Sequence, residues 1–491
     1  MATRARVLMF QGTGSDVGKS VIVAGLCRAF ARRGLAVRPF KPQNMSNNAA
    51  VTPDGGEIGR AQALQALACG VPPSVDMNPV LLKPESDERA QIVVRGEVLR
   101  HAEARAYQTL KTTLLPLVLE SFERLKAQAE LVLVEGAGSP AEMNLRDGDI
   151  ANMGFAEAAD VPVVLVGDID RGGVIAAMVG TWELLPAAER RRIRGTVINK
   201  FRGDVGLFDG GRKIIADRTG WTDCGVVPFF HDLRLLPSED GIDLSYYRRK
   251  SAAAVRIAVP IFPRISNFDD LDPLREEPDV EVSMIEPGRA LPGDVDLVIL
   301  PGSKSTIADL RFFREMGWHV DLQGHLRRGG YVVGICGGYQ MLGRAIEDRE
   351  GIEGAAERVD GLGLLDIETL LTAKKVLLPV SGTDTTTGER IHGFEMHVGR
   401  TEGPDCERPW LRLAGRADGA TSRDGRVRGC YVHGLFAADG FRSAFLASLR
   451  MRGSSGFGYE SRVAASLDAW ANHLEEHLEI ERMIGFARLG A

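Results

Sequence analysis

The feature that most constrains this chain is a rhythm. Short apolar runs, RVLMFQG, AVRPFKP, QIVVRG, LVLVEGAG, VPVVLVGD, GTVINKF and GVVPFF, alternate with helix-length segments such as 18–33, 58–69, 103–127 and 173–184. Short runs without polar alternation belong to strands buried on both faces. A helix between two of them carries the chain back to the same edge of the sheet. The expected class is α/β, with a parallel sheet covered by helices on both sides. The rhythm breaks at PSEDGIDLSYYRRKSA, residues 237–252, and resumes with VRIAVPIF, VEVSMIE, DLVILPG, YVVGICGG and RGCYVHG. At 491 residues the chain exceeds a single core, so two α/β domains are expected, 1–236 and 253–450, joined by a 237–252 linker. In the tail, 451–491, Val463, Leu467, Trp470, Leu474 and Leu478 recur at helical spacing and predict an amphipathic helix packed on the body.

Composition narrows the partners. A formal net charge of -6 with no basic domain argues against nucleic acid, and RRRIR at 190–194 reads as a solvated helix face. No run of 18 apolar residues exists, so no membrane span is expected. The tail helix carries Glu475, Glu476, Glu479 and Glu481 rather than the lysines of a membrane-surface helix. Six cysteines without paired metal-ligand spacing, and no leader pattern ahead of residue 10, point to a reducing, cytoplasmic setting. Oligomeric state leaves no signal in the residues.

The first strand runs into QGTGSDVGKS, residues 11–20, and then a helix. Glycines let successive backbone N–H groups turn toward phosphate oxygens, and the helix adds its positive end. Gly12, Thr13, Gly14 and Gly18 form this phosphate loop. Lys19 would neutralise the outer phosphates of ATP, and the Ser20 hydroxyl would hold Mg²⁺. The opening glycine is one residue earlier than in the common phosphate loop, with Thr13 in its place. Glu135 ends the strand LVLVE, where ligands of parallel sheets collect, and Lys41 ends PFK at the same edge. Asp54 is either a metal ligand or an ordinary acid at a helix start. Asp168 and Asp170 in VGDIDRGG either meet metal or substrate, or cap the following helix.

In the second half, YVVGICGGYQMLG runs a strand into Cys336 with glycines on either side, then a helix. That pattern is a nucleophile elbow, which exposes its side chain on a sharp turn. The N–H of Gly337 would face a developing oxyanion, with Gly302 of VILPGSKS as a second donor. The helix start would favour the thiolate. His433 in GCYVHGLF is the expected base.

These motifs carry a resemblance. A glycine, five residues and Gly-Lys-Ser is similar to the loop of dethiobiotin synthetase and its relatives. KPQNMSNNAAVTPDGGEIGRAQALQA and MNPVLLKP resemble the corrinoid-amidating subgroup, the cobyric acid synthases. The Cys336–His433 half resembles class I glutamine amidotransferases, with a flavodoxin-like fold. The resemblance covers roughly residues 5–450. It implies an ATP- and glutamine-dependent ligase that amidates adenosylcobyrinic acid a,c-diamide on its b, d, e and g carboxylates, giving adenosylcobyric acid. It also implies Mg²⁺ on Ser20, Asp54 and Glu135, phosphates on Lys19 and Lys41, and adenine near Asn199 and Lys200. L-Glutamine would supply ammonia at Cys336. The QNM and MNP segments would face substrate, with Arg60 and Arg171 as candidates for its carboxylates. The common triad has Glu two residues after its His; here Leu435 stands there, as in this subgroup, which leaves Glu395 or His397 of HGFEMHVG to orient His433. The alternative within the resemblance is a cobyrinic acid a,c-diamide synthase-like enzyme. A partitioning ATPase is disfavoured because residues 12–17 hold no lysine.

Overall fold

The computed structural model describes residues 5–85, 88–237, 250, 253–453 and 455–489. The chain divides into two units. The first comprises 1–46, 52–240 and 463–491; the second comprises 47–51 and 241–462. The boundary near 240 falls inside the expected linker, most of which, 238–249 and 251–252, lies outside the described residues. Two features depart from the expected division. Asn47–Val51 is counted with the second unit, and the tail is not a separate piece, since 463–491 belongs to the first unit.

In the first unit the strands Thr222–Pro228, Ile193–Phe201, Val163–Asp168, Arg6–Gly12, Leu131–Glu135 and Val37–Phe40 lie side by side in that order, all parallel. Val7, Met9, Val132, Val134, Val163 and Leu165 are buried in one hydrophobic core. Strand order places the phosphate-loop strand between those ending in Asp168 and Glu135, so both acids reach the carboxyl edge beside the loop. QIVVRG is a strand, but not of this sheet. It is Arg89–Val94, antiparallel to Val80–Pro84 and Glu97–Glu103 in a separate four-stranded sheet. Gly96, at φ 82, makes the tight return that antiparallel pairing needs.

The tail helix Tyr459–His477 has its five apolar positions, Val463, Leu467, Trp470, Leu474 and, just beyond its end, Leu478, all buried. Its indole N–H donates to the Val21 carbonyl at 2.6 Å, and Arg28 pairs with Asp468 at 2.8 Å. Gly25 makes the close approach possible: a Cβ there would lie 2.5 Å from both Trp470 and Leu474. Truncating a buried leucine or tryptophan in such a seam costs about 3 kcal/mol, so these side chains are structural parts of the first unit.

The second unit has a sheet in the order Val280–Ile285, Val255–Pro260, Leu297–Leu300, Tyr331–Ile335, Val427–Cys430 and Ala420–Thr421, parallel except for the last pair. RGCYVHG therefore splits: Val427–Cys430 stays in this sheet, and Val432–His433 pairs with Phe394–Glu395 in another. That other sheet is built on a long hairpin, Glu368–Asp384 against Arg390–Glu402, which the rhythm of apolar runs did not announce. Among the described residues no helix is long and apolar enough to cross a membrane.

Candidate functional site

The phosphate loop is closed on itself. Gly18 has φ 93, and a Cβ there would lie 2.2 Å from the Asn199 amide; one on Gly12 would meet Val17 and the Lys19 ammonium. Any side chain would fill this cradle. Lys19 Nζ donates to the Gly14 and Gly138 carbonyls at 2.8 and 3.1 Å, and Asn199 Nδ2 donates to the Val17 carbonyl at 2.9 Å. A lysine held across the loop mouth by carbonyls, above a glycine-lined bend, fits a nucleotide triphosphate.

Glu135 is the hub beside the loop. It is fully buried and accepts from Ser20 Oγ at 2.6 Å, Lys41 Nζ at 2.7 Å and Gln65 Nε2 at 2.6 Å, with Gln62 Nε2 at 3.4 Å. Burial opposes its charge, but the Lys41 ammonium and the hydrogen bonds from Lys41, Ser20 and Gln65 outweigh it and hold its pKa below the ordinary value. Gln62 and Gln65 were missed from sequence. They stand three apart on the helix Arg60–Cys69, on one face, and that spacing was the available signal.

The implied metal set comes together only in part. Ser20 and Glu135 touch, whereas Asp54 is exposed and accepts from the Thr52 hydroxyl in its own turn. Among the described residues no three His, Cys, Asp or Glu side chains gather into a metal cage. A hydroxyl beside a carboxylate nevertheless suits Mg²⁺, which keeps waters and phosphate oxygens and needs few protein ligands. Neither Asp168 nor Asp170 caps the helix Val174–Leu184, whose N-cap is Gly173. Asp168 pairs with Lys200 at 2.8 Å and caps the Asp170 N–H, while Asp170 pairs with Arg202 at 2.6 Å. Arg171 reaches Asp16 of the loop at 3.4 Å. The asparagines of QNM and MNP turn inward, against expectation. Asn44 donates to Gln62, and Asn78 donates to the Lys41 and Val80 carbonyls while accepting from the Gly59 N–H. Only Met45 of the QNM triplet is strongly exposed.

In the second unit Cys336 sits between the strand Tyr331–Ile335 and the short helix Gly337–Met341, at φ 52 and ψ -110, a strained conformation for a side-chain-bearing residue. A Cβ on Gly338 would lie 2.0 Å from the Leu300 carbonyl oxygen, so the elbow closes only over glycine. A Cβ at Gly302 would fall 2.9 Å from His433 Cε1, and one at Gly337 would fall 3.0 Å from Ser303 N, the residue after Gly302. The thiol donates to the Met396 carbonyl at 3.4 Å.

What orients His433 is Asp270, which sequence reasoning missed. Its Oδ2 lies 2.7 Å from His433 Nδ1, and its Oδ1 accepts from the Gly434 N–H at 2.6 Å. Glu395 instead pairs with Arg416, and His397 stacks on Tyr431 at 3.6 Å, its Nδ1 without a partner. Burial, then the charge of His433, pushes His397 down to about 3, so it is neutral in use. With Nδ1 taken by Asp270, Nε2 of His433 is left for Cys336. Burial disfavours the imidazolium, but Asp270 and then Cys336 outweigh it and raise His433 to about 10. The titratable groups around the ring are Asp270, Cys336 and His397.

That shift has a signed consequence. The pKa rises from 6.5 to about 10 on folding. The stabilisation is therefore complete below 6.5, declines as pH rises, and is gone above about 10. The drop in thermal midpoint caused by Asp270→Asn is expected to be largest near about pH 6 and to shrink steadily toward about pH 10, measured by calorimetry at matched ionic strength. A drop that is constant across this range refutes the assignment.

A phosphate-loop unit and a unit bearing a Cys–His–Asp constellation on one chain define a two-part, glutamine-dependent amidotransferase. Residues 8–241 match the CobQ/CobB/MinD/ParA nucleotide binding domain, and 256–441 match the CobB/CobQ-like glutamine amidotransferase domain. The cobyric acid synthase of Paracoccus denitrificans is 60% identical over 98% of this chain and 99% of its own length; that of Rhodobacter capsulatus is 60% identical over the same shares. The cobyric acid synthase of Methylocella silvestris is 59% identical over 98% of this chain and all of its own. The chain belongs to the cobyric acid synthase family. Part-chain likenesses to solved structures include PurLQS from Thermotoga maritima, at TM-score 0.29 and 20% identity over 44% of this chain and 99% of that one.

Proposed function

We propose that this chain is an ATP- and glutamine-dependent ligase that converts peripheral carboxylates of a corrinoid into carboxamides in cobalamin biosynthesis. The substrate is adenosylcobyrinic acid a,c-diamide, and amidation of its b, d, e and g carboxylates gives adenosylcobyric acid. The observation that carries this is identity of about 60% to named cobyric acid synthases across both units at once.

When bound, ATP with Mg²⁺ supplies the phosphoryl group that activates a carboxylate toward ammonia. Lys19 and Lys41 would offset the charge of the phosphates, and Ser20 and Glu135 would hold the metal. Glu135 stays ionised for this because Lys41 favours its charged form. At the other site the proton shared by Cys336 and His433 sits on Nε2, the form that Asp270 and Cys336 favour, and sulfur attacks the glutamine carboxamide carbon. The N–H groups of Gly302 and Gly337 take the charge on oxygen. The proton then passes from Nε2 to the leaving nitrogen, ammonia departs, and a thioester remains. Water, deprotonated by Nε2, hydrolyses the thioester; glutamate leaves, sulfur takes back its electron pair and the proton stays on Nε2. Asp270 holds the ring so that Nε2 can do this.

The test is incubation of the full chain with ATP, glutamine and candidate corrinoids, read by mass spectrometry. Each amidation exchanges a hydroxyl for an amino group and lowers the mass by one unit. Four such steps from the a,c-diamide are expected. An unchanged corrinoid mass with either glutamine or ammonia as nitrogen donor overturns the proposal.

A further inference from the structure

Asn267 is buried and left-handed, at φ 52 and ψ 42, a conformation that asparagine adopts as a single residue more readily than most side chains. It is held on two sides by one distant segment. Its backbone N–H donates to Asn48 Oδ1 at 2.7 Å, and its side-chain Oδ1 accepts from the Ala49 N–H at 3.1 Å. Asn48 and Ala49 are buried. The Asn267 carbonyl in turn accepts from the Asp270 N–H at 3.1 Å, opening the turn that presents Asp270 to His433. The preceding residue, Ser266, pairs with Gly302. Asn267 thus sits between the strand pair of one oxyanion donor and the carboxylate that orients the base. The residues that hold it come from Asn47–Val51, which belongs to the second unit although Ser46 and Thr52 on either side belong to the first.

We propose that the Asn48–Asn267 clasp is a positioning device for glutamine hydrolysis, in which the 47–51 segment fixes the turn that sets Asp270 against His433. This rests on the glutaminase reading of Cys336. A left-handed turn residue is fixed by the bonds on both its sides, and here the groups that make them lie 218 and 219 residues away in the chain. The stretch that supplies them follows Lys41 in the chain within ten residues.

The experiment uses the full chain and measures glutamate release from glutamine, with ammonia-driven amidation of the corrinoid alongside. Asn48→Ala is expected to lower kcat for glutamate release about 10-fold, with KM for glutamine within about twofold. The alkaline limb of its pH profile moves to lower pH, as in Asp270→Asn, because His433 loses its partner. Asn48→Asp keeps an acceptor oxygen and retains activity. Combining Asn48→Ala with Asp270→Asn gives no further loss beyond Asp270→Asn alone. Ammonia-driven amidation stays unchanged throughout. The proposal is overturned if Asn48→Ala releases glutamate at the normal rate with an unmoved limb, if Asn48→Asp is as impaired as Asn48→Ala, or if both nitrogen routes fall together. Absence of corrinoid amidation in the unmodified chain, with glutamate release intact, defeats the functional reading and leaves this one standing.

Discussion

Cys336→Ser is expected to abolish glutamine-driven amidation, by about 10³-fold or more, while ammonia-driven amidation continues at the unmodified rate. The argument is local. The residue occupies a strained turn closed by glycines, where a serine oxygen fits the same space. A serine hydroxyl is far less acidic than a thiol, and the single base Nε2 is arranged for sulfur. That atom belongs to the second unit, so externally supplied ammonia is expected still to find an activated carboxylate. Glutamate release and corrinoid amidation should be measured with each nitrogen source at a pH high enough to supply free ammonia. Loss of the ammonia route, with the thermal midpoint unchanged, refutes the division of labour between the two units.

Lys19→Ala is expected to stop amidation from either nitrogen source, by about 10²–10³-fold, and to leave basal glutamate release in place. The ammonium spans the loop mouth between the Gly14 and Gly138 carbonyls. Removing it deletes a cation from a site that must accept several negative charges. Lys41 alone is not enough, because part of its charge already neutralises Glu135 at 2.7 Å. ATP hydrolysis and amidation should fall together. Full amidation without ATP turnover contradicts activation by phosphoryl transfer.

Sequence legibility followed locality. The parallel strands, the phosphate loop and the Cys336 elbow each announce themselves within about ten residues, because strand burial, glycine turns and helix starts are short-range chemistry. Asp270 does not. It stands 163 residues from His433 in the chain, in a short 3-10 turn without a motif, and an aspartate near a proline-containing helix looks like any cap. The same holds for Asn47–Val51, whose partners are set by tertiary packing. The hairpin Glu368–Glu402 was missed for another reason. Its burial along Glu368–Asp384 is mixed rather than strictly alternating, so period-two reading has little to grip. The substrate-facing reading of QNM and MNP rests on resemblance alone; their amides instead satisfy buried backbone and side-chain groups.

The tail helix has a consequence for biosynthesis. Residues around Gly25 and Val21 are translated early, yet the indole and leucine that cover them, Trp470 and Leu474, emerge from the ribosome hundreds of residues later. Until then a nascent chain displays that apolar patch uncovered. The first unit to be synthesised is therefore the last to be completed, and chaperone dependence during translation should track the interval between the two.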